Sequence, residues 1–464
     1  MRFSAILLLA AAAAFSQEVD RTKPPQTLPL PDYKLPPVTE ITLPNGLRVV
    51  AVEDRRFPMV HFRLGFNAGT RFDPAELSGL ASMTGELLKE GTATRTSKQI
   101  ADELASLGAN IEASVSPDWL LLTGSVLSDN LDRQLALLAD LALNANFPES
   151  EVALRKENVV QELLAARSNA ETLAQEKFMA TIFGSNPYSR VLPVPESIRR
   201  IDRAALAGFR DRYLTANNAL LVMVGAVPSR DGLQKMVAAH FGSWAKKEKP
   251  AEPNAPIPPA RRTITLVDRP GSVQADIRAG QVAVTRSSPD YFPLVVANNI
   301  LGGGANSHMF INIRERLGYA YQANSAFSAL KDSGYFSTIT EVRNEVVEPA
   351  ITEMLKEMDD MAKAQVGSNE LADAKNYITG SYVVRMATPS GLATQLATIR
   401  MMGMTDEYLE RYVTRIRSVE PGQVKAASGK YIAPANASIV VVGDAGKIGK
   451  ALEKFGAVKV EKPQ

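Results

Sequence analysis

Two stretches of the chain share one pattern: residues 212–225 have the sequence RYLTANNALLVMVG, and residues 430–443 have KYIAPANASIVVVG. In each, a tyrosine, an asparagine and a glycine stand in the same order, and all three pairs are 218 residues apart (431 − 213 = 436 − 218 = 443 − 225). Each stretch ends in an apolar run that is typical of a fully buried strand. The constant offset predicts duplication of a unit of about 210 residues.

The remainder of the unit alternates between strand and helix patterns. Asn45 and Gly46 form the dipeptide that favours the turn of a β-hairpin. The order of strands, helices, strands, helices and a last buried strand predicts an α+β fold, built twice, in which each half is a mainly antiparallel sheet covered by helices. The predicted segments are a hairpin at 39–53, a strand at 59–69, helices at 78–90 and 97–107, a strand pair at 110–126, a helix at 149–167 and a strand at 219–224.

Composition limits the function. The chain has 45% hydrophobic and 22% charged residues and a formal net charge of +2, so it is a folded protein without the basic excess of a nucleic-acid binder. It has no cysteine, which excludes disulfides, thiolate metal sites and cysteine nucleophiles. Only three histidines are present, His61, His240 and His308.

The N-terminus and two proline-rich stretches divide the chain. Residues 1–16 combine Arg2, an apolar run and small residues before a cleavage point, which predicts a secretory signal peptide and an exported, periplasmic protein. A proline-rich arm at 17–37 and a proline-rich linker at 246–262 then bound an N-terminal domain at 38–245 and a C-terminal domain at 263–464. No other stretch has about 18 consecutive apolar residues, so no transmembrane segment is expected.

Three segments identify a resemblance. NGLRVV at 45–50, AGTRFDPAELSGLASMTGELLKEGT at 68–92 and LGGGANSHMFINIRERLGYAY at 301–321 resemble landmarks of the insulinase (pitrilysin) family of zinc metallopeptidases. Within it, the chain is most similar to the bacterial branch that is like the mitochondrial processing peptidase. The resemblance covers the chain from about Thr39 onward. It implies two homologous halves and a clamshell that closes around an unfolded peptide, often as a dimer of such chains.

Active members of the family carry H-x-x-E-H on a helix after G-L-A, where two imidazoles bind Zn²⁺ and the glutamate activates water. Here the resemblance aligns Ser82 and Glu86 with the two histidines and Gly85 with the general base, while Glu162 matches the third ligand. We therefore expect no metal and no catalysis in this chain alone. A weak hard-cation site at Glu86 and Glu162 remains an alternative, as do two solvated or salt-bridged carboxylates.

The C-terminal half keeps a second family pattern, R-E-x-x-G-x-x-Y, with Arg314 and Tyr321 seven residues apart (321 − 314 = 7). We expect a helix at 307–317 that ends at Gly318, with Tyr319 and Tyr321 on one face of the next strand. The resemblance implies that Arg314 and Tyr321 contact the substrate near the scissile bond. From the residues alone, a cation that complements a helix dipole and a packed tyrosine are the alternative.

A chain without zinc ligands that keeps this pair resembles the non-catalytic subunit of a heterodimeric zinc metallopeptidase. Its partner would be a catalytic subunit of the same family with an intact H-x-x-E-H motif and its own zinc, and its substrate an unfolded peptide. Strand addition at 110–116 is one way to hold that peptide. The alternatives are a catalytically inactive, homodimeric peptide-binding or scaffold protein and, less favoured, a carboxylate-metal hydrolase.

Overall fold

A computed structural model describes residues 33–253 and 255–462, and these contain two six-stranded sheets, one in each half. The predicted signal peptide at 1–16 lies outside the described residues, as does the predicted arm up to residue 32. Within the described ranges, none of the helices combines the length and the apolar character that a membrane span requires.

The strands of the first half occupy 38–225 and those of the second half occupy 263–461, on either side of the proline-rich segment 246–262. The strands are β1 (Val38–Thr42), β2 (Arg48–Glu53), β3 (Met59–Phe66), β4 (Asn110–Val115), β5 (Leu120–Leu127), β6 (Ala219–Gly225), β7 (Thr263–Asp268), β8 (Gln274–Ala283), β9 (Ala320–Ala329), β10 (Gly334–Arg343), β11 (Ser438–Gly443) and β12 (Val458–Glu461). The spatial orders are β1-β2-β6-β3-β5-β4 and β12-β7-β11-β8-β10-β9.

Helices connect and cover these strands, and the predicted α+β class is confirmed. The helix predicted at 149–167 is present with the same ends. The helices are α1 (Leu80–Leu87), α2 (Ser97–Leu107), α3 (Leu131–Asn144), α4 (Glu149–Arg167), α5 (Ala170–Phe183), α6 (Pro195–Arg200), α7 (Arg203–Tyr213), α8 (Arg230–Phe241), α9 (Tyr291–Gly302), α10 (Val347–Lys363), α11 (Ser368–Met386), α12 (Pro389–Met401), α13 (Glu407–Arg417), α14 (Pro421–Tyr431) and α15 (Ala445–Leu452).

The two halves repeat one topology. In each, one central strand lies between a parallel neighbour and an antiparallel one, so that β6 between β2 and β3 corresponds to β11 between β7 and β8. Gly225 and Gly443 end these equivalent strands, as the 218-residue offset predicts. Each accepts a backbone hydrogen bond of 2.8 Å, from Asp54 and Arg269 respectively. The halves differ at one edge, where β1 is antiparallel to β2 but β12 is parallel to β7.

Each sheet is covered on its second face by a helix of the other half. Helix α5, from the first half, packs on β8 and β11, and the equivalent helix α12 packs on β3 and β6. The burial of β6 and β11 along their whole length reflects this arrangement, because both faces of each strand are covered. The sequence predicted helices over each sheet, and the structure shows that the two halves exchange one of them.

Large side chains form the exchanged contacts. Phe178 and Phe183 of α5 are fully buried and pack edge-on against the ring of Tyr335 in β10, with ring centroids 6.4 Å apart in both pairs. In the reciprocal contact, Leu392 and Leu396 of α12 belong to the apolar cluster that includes the face of β6 turned away from its own helices. The exchange therefore joins the two halves through apolar cores, which makes them one cooperative unit.

A buried arginine fixes the junction between the halves. Arg71, in the AGTRFDP run at 68–74, lies 3.2 Å from Asp118 through its Nε and also pairs with Glu252 of the linker and Asp332 of the second half. The Tyr188 hydroxyl donates to Asp118 at 2.6 Å. Because a buried guanidinium without partners is very costly, these contacts hold the linker in place.

The exchange of helices makes a measurable prediction. Phe183→Leu, in the first half, should cost about 1 to 2 kcal/mol of stability and should speed amide hydrogen exchange in β8 and β11 of the second half. Phe62→Leu, in the first half's own core, is the matched control and should act on β3 and β6. If the Phe183 variant changed exchange only in first-half segments, the exchanged packing would be wrong.

Candidate functional site

The helix at the degenerate zinc position is fixed by Asp73. This buried carboxylate accepts hydrogen bonds from the backbone N–H groups of Gly79 and Ala81, both at 2.8 Å, at the start of α1. Burial raises the pKa of Asp73 to about 7, against the lowering effect of those hydrogen bonds. The same helix approaches β4 closely, because a Cβ atom on Gly85 would stand 3.0 Å from Val115. A glutamate at position 85 therefore requires Val115 to move.

The two carboxylates at the degenerate zinc position, Glu86 and Glu162, meet on one arginine. Arg155 of α4 donates from Nε to Glu86 at 2.6 Å and from its two terminal nitrogens to Glu162 at 2.7 and 2.9 Å. This bidentate pairing with Glu162 is the strongest geometry available to a guanidinium and a carboxylate. Of the sequence alternatives, the geometry corresponds to salt-bridged carboxylates. The sequence analysis missed Arg155, although it stands seven residues before Glu162 in the predicted helix at 149–167 (162 − 155 = 7).

This donor set does not fit a zinc ion. Zinc prefers histidine and cysteine nitrogen and sulfur, and Ser82 and Gly85 supply neither a charged donor nor a base. Glu86 and Glu162 are both ion-paired with Arg155, which offsets one of their two negative charges and whose positive charge repels a metal ion. Within 33–253 and 255–462, no group of three or more histidine, aspartate and glutamate side chains has the arrangement of a metal site.

The second site begins on an unusual helix. Residues predicted as an α-helix at 307–317 form a π-helix over Phe310–Arg316, in which the Leu317 N–H donates to Asn312, five residues earlier, at 3.1 Å. Such helices are rare and are frequent at functional sites. Gly318 ends the helix with φ +63°, a conformation that favours glycine. The end of the helix at Gly318 was predicted. The π geometry was not, because a segment of seven residues is too short for its side-chain pattern to distinguish a π-helix from an α-helix.

Arg314 and Tyr321 are in direct contact. The guanidinium carbon of Arg314 lies 4.8 Å from the Tyr321 ring centroid and 4.5 Å from that of Phe310, so the two rings hold it. Tyr321 is 84% exposed at the start of the edge strand β9. Tyr319 differs from the prediction, since it precedes β9 and packs against the core of the second half. The reason is that β9 begins only at Ala320, so the two tyrosines do not share a face of one strand.

His308 anchors the segment that carries Arg314. Its Nε2 contacts Glu370 of α11, and its Nδ1 lies 3.4 Å from Glu357 of α10, which is buried. Hydrogen bonds to Glu357 and Glu370 raise the pKa of His308 to about 9. Asn312 also donates to Glu357, at 2.6 Å. The sequence analysis missed this cluster because its carboxylates lie 49 and 62 residues away along the chain (357 − 308 and 370 − 308).

Comparison with family models agrees with this architecture. The model described as Insulinase (Peptidase family M16) matches residues 48–196, and the model described as Peptidase M16 inactive domain matches residues 200–378. The chain is 23% identical to an uncharacterised zinc protease of Streptomyces coelicolor, over 90% of this chain and 92% of that protein. It is 26% identical to an uncharacterised zinc protease of Mycobacterium tuberculosis, over 83% and 89%.

Solved structures show the same fold. A peptidase M16 inactive domain from Pseudomonas fluorescens superposes with a TM-score of 0.82 at 26% identity, over 88% of this chain and 98% of that one. A protease from Helicobacter pylori also has a TM-score of 0.82, at 20% identity, over 88% of this chain and 100% of that one. With adjacent matches to both family models and the fold of an M16 inactive domain, the chain is a member of the insulinase family, peptidase family M16, and resembles its non-catalytic members.

Proposed function

We propose that this chain is the non-catalytic, substrate-binding subunit of a zinc metallopeptidase that degrades peptides or processes exported proteins. The observation that carries the proposal is the contact between Arg314 and Tyr321, which displays a hydroxyl and a guanidinium at the start of an exposed edge strand. Tyr321 is exposed, whereas Tyr382 and Tyr412 are buried in the core. Arg314 and Tyr321 would reach the active site of a partner that carries the intact H-x-x-E-H motif.

The two residues have suitable chemistry. The stacked guanidinium of Arg314 is held in one plane, with only Glu315 as a salt-bridge partner among the described residues, at 3.3 Å. It donates several N–H groups toward peptide carbonyl oxygens. The Tyr321 hydroxyl donates one hydrogen bond toward an oxygen that gains negative charge in the reaction. The zinc of the partner would supply the activated water, and this chain would orient the peptide.

The edge strands provide further support for peptide binding. Strand β4, which contains most of the predicted peptide edge at 110–116, lies at the end of its sheet, and β9 with Tyr321 lies at the equivalent end of the other. An extended peptide adds to such an edge through backbone hydrogen bonds. Export to the periplasm through the predicted signal peptide at 1–16 would bring the complex to exported proteins.

The alternative function is a homodimeric scaffold or peptide-binding protein without a catalytic partner. The replacement of zinc ligands by the Arg155 salt bridges is equally compatible with it. What favours the subunit is the presence of Arg314 and Tyr321 together, in contact with each other, because a scaffold has no need of a transition-state donor. The experiments below distinguish the two.

We predict that the purified chain binds no stoichiometric zinc and cleaves no peptide. The cation at Glu86 and Glu162 is Arg155, so metal analysis after zinc saturation and gel filtration should find far less than one zinc per chain. Arg155→Met is the informative variant, because it leaves both carboxylates unpaired without adding a donor. One zinc per wild-type chain together with chelator-sensitive turnover would contradict the prediction.

We predict that Tyr321→Phe leaves the complex with the catalytic partner assembled but lowers kcat about a hundredfold, since one donor to a developing oxyanion contributes about 3 kcal/mol. Arg314→Ala should have a similar effect on turnover. Because Tyr321 is exposed, its variant should change stability by less than about 0.5 kcal/mol.

Tyr377→Phe is the matched control, since this tyrosine is 62% exposed on α11. The measurement is peptide turnover per assembled heterodimer, with size and melting temperature determined for each variant. Unchanged turnover in both the Tyr321 and the Arg314 variants would favour the scaffold.

We predict that the contribution of His308 to stability is lost at high pH. Its pKa is raised to about 9 in the folded chain, above its unfolded value of about 6.5. The contribution is therefore complete below pH 6.5 and disappears as the pH rises through 9. The groups that face His308 are Glu357 and Glu370, with Lys356 lying 3.5 Å from Glu357.

Urea unfolding at pH 6.5 and pH 9.5 measures this effect. The wild type should lose up to about 3 kcal/mol more than His308→Gln over this range. His240→Gln, at a histidine whose Nε2 lies 2.8 Å from the exposed Asp132, is the control and should follow the wild type. Equal pH dependence of the wild type and the His308 variant would show that this histidine does not anchor the segment.

A further inference from the structure

A cavity of about 550 Å³ lies where the C-terminal part of α5, the end of the linker and the edge strand β12 meet. Its cationic lining residues are Lys177 of α5, Arg261 and Arg262 of the linker, and Lys459 of β12. The described part of the lining contains one acid, Glu461 of β12. This space, called the linker cavity below, therefore has an excess of three positive charges (4 − 1 = 3).

Glu461 is already shared by two lysines. Lys177 donates to one of its carboxylate oxygens, and the Nζ of Lys459 lies 2.8 Å from the other. The hydrogen bond from Lys177, followed by that from Lys459, holds the pKa of Glu461 below its usual value. Because this one carboxylate faces two ammonium groups, it does not balance the charge of the arginines as well.

Arg262 is held in the cavity wall without an acidic partner. Its Nη1 donates to the Pro434 carbonyl at 2.9 Å, and its Nε donates to the Phe455 carbonyl at 3.4 Å. Among the described residues, no acid forms an ion pair with Arg262 or with Arg261. Burial lowers the pKa of Arg262, as expected for a guanidinium that no anion offsets. A partly buried cation in a fixed position without a counter-ion favours a negatively charged ligand.

The backbone that carries the two arginines is fixed as well. The Ser438 hydroxyl donates to the Arg261 carbonyl at 3.2 Å and accepts a hydrogen bond from the Thr263 hydroxyl at 3.0 Å. Thr263 begins β7, which pairs with β11 from Ser438 onward. Because a ligand does not have to order this segment, its affinity is not reduced by that cost.

The first half begins the equivalent strand without such charges. β2 is parallel to β6 as β7 is parallel to β11, and the first residues of β2 and β7 pair with residues 220 and 438, which are 218 apart (438 − 220 = 218). Gly46 and Leu47 precede β2, where Arg261 and Arg262 precede β7. Leu47 is fully buried. The duplicated fold therefore does not require a cation at either position.

We propose that the linker cavity binds a free oxyanion of the phosphate class that carries more than one negative charge, such as pyrophosphate. A carboxylate supplies one negative charge, whereas a phosphate group supplies about 1.5 to 2 near pH 7, so two linked groups offset the three excess cations. Guanidinium groups match phosphate oxygens with paired N–H donors, and such charge-assisted hydrogen bonds are strong. A volume of about 550 Å³ is typical of a site for a small ligand.

This site is separate from the surface of the proposed function. Tyr321 follows the residue of β9 that is aligned, across β10, with Ala275 near the start of β8. The linker cavity is instead lined by Gln281 and Val282, near the end of β8. The anion joins α5 of the first half, the linker and β12 of the second half. The inference therefore does not depend on peptide binding, and either can fail without the other.

The test is isothermal titration calorimetry of the full chain with pyrophosphate and with acetate, near neutral pH and at one fixed ionic strength. The wild type should bind about one pyrophosphate per chain, at least about tenfold more tightly than acetate. Arg261→Gln, at an exposed arginine, and Arg262→Gln should each weaken the binding of pyrophosphate about tenfold or more. Arg343→Gln, at an exposed arginine of β10 outside the lining, is the matched control and should keep the wild-type affinity.

A thermal measurement accompanies the titration. Because a ligand that binds only the folded chain stabilises it, pyrophosphate should raise the melting temperature of the wild type and of Arg343→Gln but not that of Arg261→Gln. Absence of saturable binding to the wild type overturns the proposal, and so does equal affinity for acetate. Unchanged affinity in both Arg261→Gln and Arg262→Gln places the anion elsewhere and also overturns it. An equal loss in Arg343→Gln shows an effect of overall charge and overturns the cavity as the site.

Discussion

The reciprocal exchange of α5 and α12 is the contact on which the rest of the structure depends. Each sheet has two apolar faces, and its own half covers only one of them, so neither half completes its core alone. The exchange also brings the start of α5 onto the second sheet, beside Tyr321. The candidate substrate surface is consequently built from both halves, although Arg314 and Tyr321 belong to one.

Arginines serve three different purposes in this arrangement. Arg71 is buried among carboxylates from both halves and the linker, where it fixes their junction. Arg155 lies between Glu86 and Glu162 at the degenerate zinc position, so a cation of the protein itself pairs with both carboxylates. Arg314 differs because two aromatic rings hold it and a single carboxylate among the described residues, that of Glu315, lies 3.3 Å from its Nε, which leaves N–H groups available for a ligand.

The two halves have equivalent sheets but differ in the residues at their candidate functional sites. The two glycines that end β6 and β11 make the same backbone hydrogen bond, and Arg63 and Arg278 both reach the exchanged helix. The residues proposed to contact a substrate, however, belong to the second half. The first half has salt bridges at the position aligned with the zinc site, and the second half has the exposed tyrosine.

The sequence by itself determined the duplication and the α+β class, because these depend on local periodicity. The resemblance to the family pointed to the positions without zinc ligands and to Arg314 and Tyr321, because those depend on the identity of single residues within its motifs. Only the tertiary structure decided that Arg155 joins Glu86 and Glu162 and that His308 meets Glu357 and Glu370. Those contacts join residues that are distant along the chain, and no local pattern records which buried face a helix from the other half will cover.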